Sequence, residues 1–97
     1  EEIFGPVATV LSVRDDEEAI RLANQTRYGL GASIWSKDIE HATRLATQIE
    51  AGSVYISKLM RSNVRFPFGG IKESGYGREL GESGVKEFMN TKTIVVN

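Results

Sequence analysis

The stretch Pro67-Phe68-Gly69-Gly70-Ile71-Lys72-Glu73-Ser74-Gly75-Tyr76-Gly77-Arg78-Glu79-Leu80-Gly81 carries the densest chemical signal in the chain. Glycines set so close together permit backbone conformations and approaches that a Cβ forbids, which suits a ligand cradle or a packed structural loop. Gly75-Tyr76-Gly77 begins like a dinucleotide fingerprint, but Leu80 stands at the third glycine position and no buried strand runs directly into it. A phosphate-binding P-loop is excluded as well, because Lys72 is followed by Glu73 instead of a hydroxyl residue. A second unusual segment is Glu2-Ile3-Phe4 ahead of Gly5-Pro6. A carboxylate at Glu2 can accept from both hydroxyls of a ribose diol, and the Phe4 ring offers a flat wall for a nicotinamide. The same two residues can serve as a solvated acid and a core aromatic.

Other chemistries find no footing. With no cysteine and a single histidine, His41, the chain has neither a zinc ligand set nor a complete serine or cysteine triad. His41 falls on the polar side of a predicted helix and reads as a surface residue. Glu1, Glu2, Glu73, Glu79, Glu82 and Glu87 offer acid or base groups, but no spacing pairs them.

The elements that must position these residues read as α/β. Val7 to Val13 is a β-branched apolar run, predicting a strand buried on both faces. Asp15 or Asp16 can cap a following helix with Glu17 and Glu18 in its first turn and Ala19, Leu22 and Ala23 on one face. Ala32 to Trp35 predicts a second strand. Ser36 or Asp38 can cap a second helix bearing Ile39, Ala42, Leu45, Ala46 and Ile49 on one side. Ser53 to Ser57 predicts a third strand, so the order is β-α-β-α-β, with parallel pairing and right-handed crossovers the simplest topology. Beyond Ser57 comes a long irregular segment of the kind that usually carries function. A short helix around Ser83 to Met89 and a final strand over Thr91 to Val96 follow.

Composition sets the outer limits. The 97 residues are 40% hydrophobic and 26% charged, as in soluble globular domains, and a chain this short buries too little of its own surface for more than marginal independent stability. A formal net charge of -1 gives no field that would recruit nucleic acid or an anionic membrane. The absence of cysteine excludes a disulfide-stapled miniprotein and leaves the cytoplasm as the expected compartment. Apolar runs such as Val54–Ile56 and Ile94–Val96 are too short to span a bilayer. The opening Glu1-Glu2-Ile3-Phe4 lacks methionine and runs straight into structured-looking sequence, as expected of a piece of a longer protein.

Together, Glu1-Glu2-Ile3-Phe4-Gly5-Pro6-Val7 and the Pro67–Gly81 stretch resemble the paired signatures of the aldehyde dehydrogenase superfamily. Ala23-Asn24, Tyr28-Gly29-Leu30 and Ala51-Gly52 resemble the same family in order and spacing, so the resemblance spans the whole chain. It implies that residues 1–90 form the C-terminal part of a catalytic domain and residues 91–97 an oligomerisation strand. It also implies a parent enzyme that oxidises an aldehyde to a carboxylic acid with NAD or NADP, through a cysteine nucleophile and a glutamate base that lie outside these residues. This chain alone is therefore expected to be inactive. By resemblance, Glu2 binds the nicotinamide ribose and Phe4 packs near the nicotinamide. Ser57 through Phe66 correspond to the substrate-access loop, and Phe68 lines the tunnel to the nucleophile.

Many relatives have asparagine where Ser57 stands. Lys58, Arg61 and Arg65 give the loop three cations, and a guanidinium in a pocket favours a carboxylate-bearing or polyhydroxylated aldehyde. By the same resemblance Ser57, Arg61, Ser62 and Phe68 are the expected substrate pocket, and a small polar aldehyde such as a semialdehyde acid or a sugar-like aldehyde the expected substrate. The expected partners are the N-terminal remainder of the enzyme and further copies in a dimer or tetramer, joined through the final strand. The competing reading is a noncatalytic α/β interaction or oligomerisation module.

Overall fold

The computed structural model describes residues 2–97. Helix α1 (Asp16–Asn24) starts where Asp15, in extended conformation, turns its carboxylate back to accept from Glu18 N at 2.8 Å. This satisfies one of the amides left free by the first turn, and the acidic residues there complement the helix dipole. The Glu18 carboxylate takes both the backbone N–H and the side-chain Nε of Arg14, each at 3.0 Å. Those hydrogen bonds, with a weaker contribution from Arg21, hold its carboxyl below the ordinary carboxylate value.

Two short strands follow, β1 (Tyr28–Gly29) and β2 (Gly31–Ile34). Helix α2 (Ile39–Ala46) is capped by Asp38, which accepts from His41 N at 2.8 Å. Ser36, the alternative cap in the sequence, instead accepts from Asp38 N at 3.0 Å and shapes the turn before the helix. Strand β3 (Ser53–Ile56) then pairs in parallel with β2, Gly31 opposite Ser53 through Ile34 opposite Ile56. The two-residue strand β4 (Ile71–Lys72) returns to β1 antiparallel, Tyr28 opposite Lys72. Helix α3 (Gly81–Lys86) begins two residues before the predicted position and ends before Met89.

The expected β-α-β-α-β unit is therefore half realised: β2-α2-β3 is a parallel crossover unit, whereas the first strand is missing. Val7 to Val13 runs in no regular structure and is exposed, Val10 to 88%. Its β-branched residues favour a strand, but a strand exists only against a neighbour, and the sheets among the described residues are the pairs β1-β4 and β2-β3. The same correction applies to Thr91–Val96, which is irregular, with Val96 86% exposed. The β1-β4 pair was not foreseen, since two-residue strands leave no hydrophobic period to read.

Side chains stitch the elements together where the ladders are short. Asn24 donates through Nδ2 to Gln48 O and accepts through Oδ1 from Glu50 N, both at 2.8 Å, tying the end of α1 to the exit from α2. Lys72 Nζ donates to Asn24 O at 2.8 Å and Thr26 O at 3.2 Å and pairs with Glu50 at 2.6 Å, fastening β4 to the same junction. His41 is half-buried, not a plain surface residue, and its Nε2 lies 2.7 Å from Asp16 Oδ2, bridging α2 to α1.

The hydrophobic interior is small. Ala42 on α2 is the one buried apolar residue of the described chain. The accessible surface of 8392 Å² exceeds the roughly 5,500 Å² expected of a self-contained protein of this mass. The radius of gyration is 17.1 Å, against about 12.5 Å for a compact domain of this length. No helix among the described residues is long and apolar enough to cross a membrane.

The Arg14–Glu18 contact gives a pH prediction. Because the folded-state pKa of Glu18 is depressed, its contribution to stability is present above the ordinary carboxylate value and lost as pH falls through the lowered one. Carbon-detected NMR titration of the Glu18 carboxyl is expected to show a midpoint that rises towards the ordinary value in Arg14→Ala.

Candidate functional site

In a parallel α/β arrangement, ligands collect beyond the carboxyl ends of the strands, where the connecting loops spring out. Here β3 ends at Ile56, and Ser57 takes the left-handed conformation, φ +51°. It is held there by its N–H donating to Ile34 O at 2.7 Å and its Oγ to Ser36 O at 3.1 Å. Asparagine tolerates this conformation better than serine does, which gives a physical reason for the asparagine expected at this position. The turn sends residues 57–66 out as a loop. Tyr55 OH donates to Arg61 O at 2.8 Å, Asn63 Oδ1 accepts from Arg65 N at 3.0 Å, and Gly81 N donates to Val64 O at 3.1 Å. These bonds fix the loop's path and leave Arg61 and Ser62 exposed.

The glycine-rich segment forms a second excursion. Phe68 and Glu79 face each other in an antiparallel bridge, with Phe68 N donating to Glu79 O at 2.7 Å and Glu79 N to Phe68 O at 2.8 Å. Within the neck, Arg78 Nη1 donates to Gly70 O at 2.8 Å and Gly77 O at 2.6 Å. Close approach explains two of the glycines: a Cβ on Gly52 would collide with the Gly69 carbonyl, and one on Gly69 would lie 2.6 Å from Gly77 O. Phe68 is half-buried and lines a hollow of about 460 Å³ with Leu30, Ser74, Tyr76, Arg78 and Phe88.

Glu2 lines a separate hollow of about 530 Å³ with Thr26, Tyr28, Leu30, Glu73 and Ser74. Leu30 and Ser74 form a wall common to both hollows, so the structure brings Glu2 and Phe68 to neighbouring cavities. Ser74 is fixed by accepting from Gly29 N at 2.9 Å, and Arg27 pairs with Glu73 at 3.4 Å. Phe4 does not join them; it is 93% exposed with φ +53°. Ser57, Arg61 and Ser62 lie on the other loop and line neither hollow. Thr26, Tyr28, Leu30 and Ser74 are not legible as site residues, since neutral side chains leave no charge pattern; Tyr28 and Leu30 lie in the Tyr28-Gly29-Leu30 signature, Ser74 in the Pro67–Gly81 stretch, and Thr26 in neither.

The donor set at Glu2 fits the ribose part of a dinucleotide. A carboxylate accepts from two vicinal hydroxyls, and the hydroxyls of Thr26, Tyr28 and Ser74 add neutral partners. Two carboxylates in one hollow, with a single ion pair to a cation among the described residues, do not suit a pyrophosphate.

The family model for the aldehyde dehydrogenase family matches residues 1–94. The chain belongs to that family. It is 52% identical over 94 residues to a probable NADP(+) succinate-semialdehyde dehydrogenase of Synechocystis, covering 97% of this chain and 21% of that protein. Among solved structures, the succinic semialdehyde dehydrogenase of Streptococcus pyogenes, in complex with NADP+, superposes with a TM-score of 0.94 at 48% identity. That match covers 99% of this chain and 21% of the other. The betaine aldehyde dehydrogenase of Staphylococcus aureus, in complex with NAD+, gives a TM-score of 0.87 at 45% identity over 91% of this chain and 17% of its own. The chain thus spans about a fifth of the length of the relatives it matches. These structural neighbours are aldehyde dehydrogenases, in keeping with the α/β architecture of the chain.

The packing of Gly52 against Gly69 is directly testable. Gly52→Ala in the intact protein is expected to cost about 1–3 kcal/mol through overpacking, read as a lower urea midpoint with an unchanged slope.

Proposed function

We propose that this chain is the C-terminal part of an NAD(P)-dependent aldehyde dehydrogenase that oxidises an aldehyde to a carboxylic acid. Residues 1–90 complete the catalytic domain, and residues 91–97 serve as an oligomerisation strand. The observation that carries the reading is the hollow lined by Glu2, where its carboxylate shares one space with the Glu73 carboxylate and three hydroxyls, in a chain of this family. NAD or NADP, when bound, supplies the hydride acceptor. Glu2 accepts from the nicotinamide ribose hydroxyls and so fixes the ring's position, while Phe4 closes over the nicotinamide end once the rest of the enzyme covers it. Orientation of this kind matters because hydride transfer requires a near-attack geometry. With no cysteine, the chain contributes positioning and shape, and its nucleophile comes from the N-terminal remainder of the enzyme.

The substrate is a small aldehyde bearing an anionic group, of the semialdehyde acid type. Ser57 aims the loop outward, Arg61 and Ser62 offer a cation and a hydroxyl, and Phe68 forms an apolar wall. The loop from Ser57 to Phe66 holds Lys58, Arg61 and Arg65 and no acidic residue, so its field favours an anion over a neutral or cationic aldehyde. The relatives named as succinate-semialdehyde dehydrogenases support this choice. The exposed Thr91–Val96 segment favours association of copies into a dimer or tetramer by strand addition.

Two measurements on the intact enzyme test the reading. Glu2→Gln is expected to raise KM for the dinucleotide about tenfold, since a charge-assisted hydrogen bond is replaced by a weaker neutral one, with KM for the aldehyde within twofold. An unmoved dinucleotide KM would remove Glu2 from the cofactor site. Arg61→Ala is expected to lower the preference for an anionic over an uncharged aldehyde of the same length by about tenfold in kcat/KM. Unchanged selectivity would rule out Arg61 as the anion-recognising group.

A further inference from the structure

We propose that Arg78 is a positioning residue for aldehyde binding: its guanidinium closes the neck of the glycine-rich excursion and thereby sets the Phe68 side chain. The inference rests on the reading of Phe68 as a wall of the substrate channel. The glycine-rich segment from Phe68 to Glu79 is held at its middle by the pairing of β4 with β1 and at its two ends by one reciprocal pair of backbone hydrogen bonds. Gly69 and Gly70 on one limb, and Gly75 and Gly77 on the other, leave the stretches between β4 and that bridge with more backbone freedom than other residues would. Arg78 adds a side-chain constraint across those two limbs. One terminal nitrogen donates to Gly70 O, two residues beyond Phe68, and to Gly77 O, two residues before Glu79, so a single side chain spans both limbs of the neck.

The neighbouring geometry shows a fitted clamp. A Cβ on Gly69 would lie 2.6 Å from Gly77 O and 3.1 Å from Arg78 Cδ, so the two limbs meet closely and the Arg78 stem packs beside Gly69. The Arg78 N–H donates to Glu87 Oε1 at 3.2 Å, which anchors the neck to the end of α3. The guanidinium's acceptors are carbonyl oxygens, and among the described residues it joins no ion pair within 4.0 Å. Its contribution is therefore directional, a matter of a planar donor group of fixed reach, and a bare positive charge does not replace it. Phe68 and Arg78 line the same hollow, so a shift of the neck moves the aromatic wall. A misplacement of about 1 Å is enough to lower the rate of a positioned reaction by about a hundredfold.

The test compares Arg78→Ala, Arg78→Lys and Phe68→Ala in the intact enzyme. Arg78→Ala and Arg78→Lys are both expected to raise KM for the aldehyde about tenfold with KM for the dinucleotide within twofold. Added methylguanidinium is expected to restore part of the loss in Arg78→Ala, and hydrogen exchange of the Gly70 to Gly77 amides to accelerate in both Arg78 variants. If Phe68→Ala raises the aldehyde KM but neither Arg78 variant does, the proposal is overturned and the reading of Phe68 stands. If Phe68→Ala leaves the aldehyde KM unchanged, the reading of Phe68 fails and takes the proposal with it. If the Arg78 variants shift both KM values equally alongside a lowered melting temperature, or do not fold at all, Arg78 is a stability residue and the proposal falls.

Discussion

The parallel pairing of Gly31–Ile34 with Ser53–Ile56 is the interaction from which the other elements take their places. Parallel strands cannot be joined by a tight turn, so the pair demands a crossover, and α2 supplies it with Ala42 fully buried. The crossover delivers both strands with their carboxyl ends on one side, and there Ser57 turns the chain out into the loop of residues 57–66. It also sets Gly52 where Gly52 N can donate to Gly29 O at 2.9 Å and the Gly69 backbone can approach without a Cβ in the way. The glycine-rich excursion is thus placed by the ladder although it contributes nothing to it.

That ladder is too small to enclose a core. Val10, Phe4 and Val96 stand largely in solvent, and the sheet edges beside β2 and β3 have no neighbour among the described residues. Apolar area on this scale is what a domain presents to the rest of its own structure or to another subunit. The chain spans about a fifth of the length of the relatives it matches.

The sequence revealed those elements whose determinants are local. Asp15 and Asp38 sit at the caps that their position before an apolar periodic run predicts, and β2 and β3 lie within a residue of the expected spans. Val7–Val13 and Thr91–Val96 failed because β-branched residues describe one half of a pairing and say nothing about the presence of the other half. At the candidate site, Glu2 and Phe68 reached neighbouring hollows, whereas Phe4 did not, since its ring has no covering surface within these residues. The hydroxyls at Thr26, Tyr28 and Ser74 stayed hidden because only folding brings residues so far apart in the chain to one wall. Nothing in the sequence separates Arg78 from the other cations; its hydrogen bonds to Gly70 and Gly77 are invisible until the loop's shape is known.

The β1-β4 pair joins residues roughly forty positions apart, while β2, α2 and β3 are consecutive. Contacts between near neighbours in sequence form first because little chain entropy is lost in making them, and distant pairings follow. The crossover unit is therefore closed at a lower entropic cost than the β1-β4 pair, which needs Asn24, Glu50 and Lys72 to meet. The neck at Phe68 and Glu79 is more local still, and a single bridge, with no ladder on either side among the described residues, allows it to open and reclose without disturbing the crossover unit.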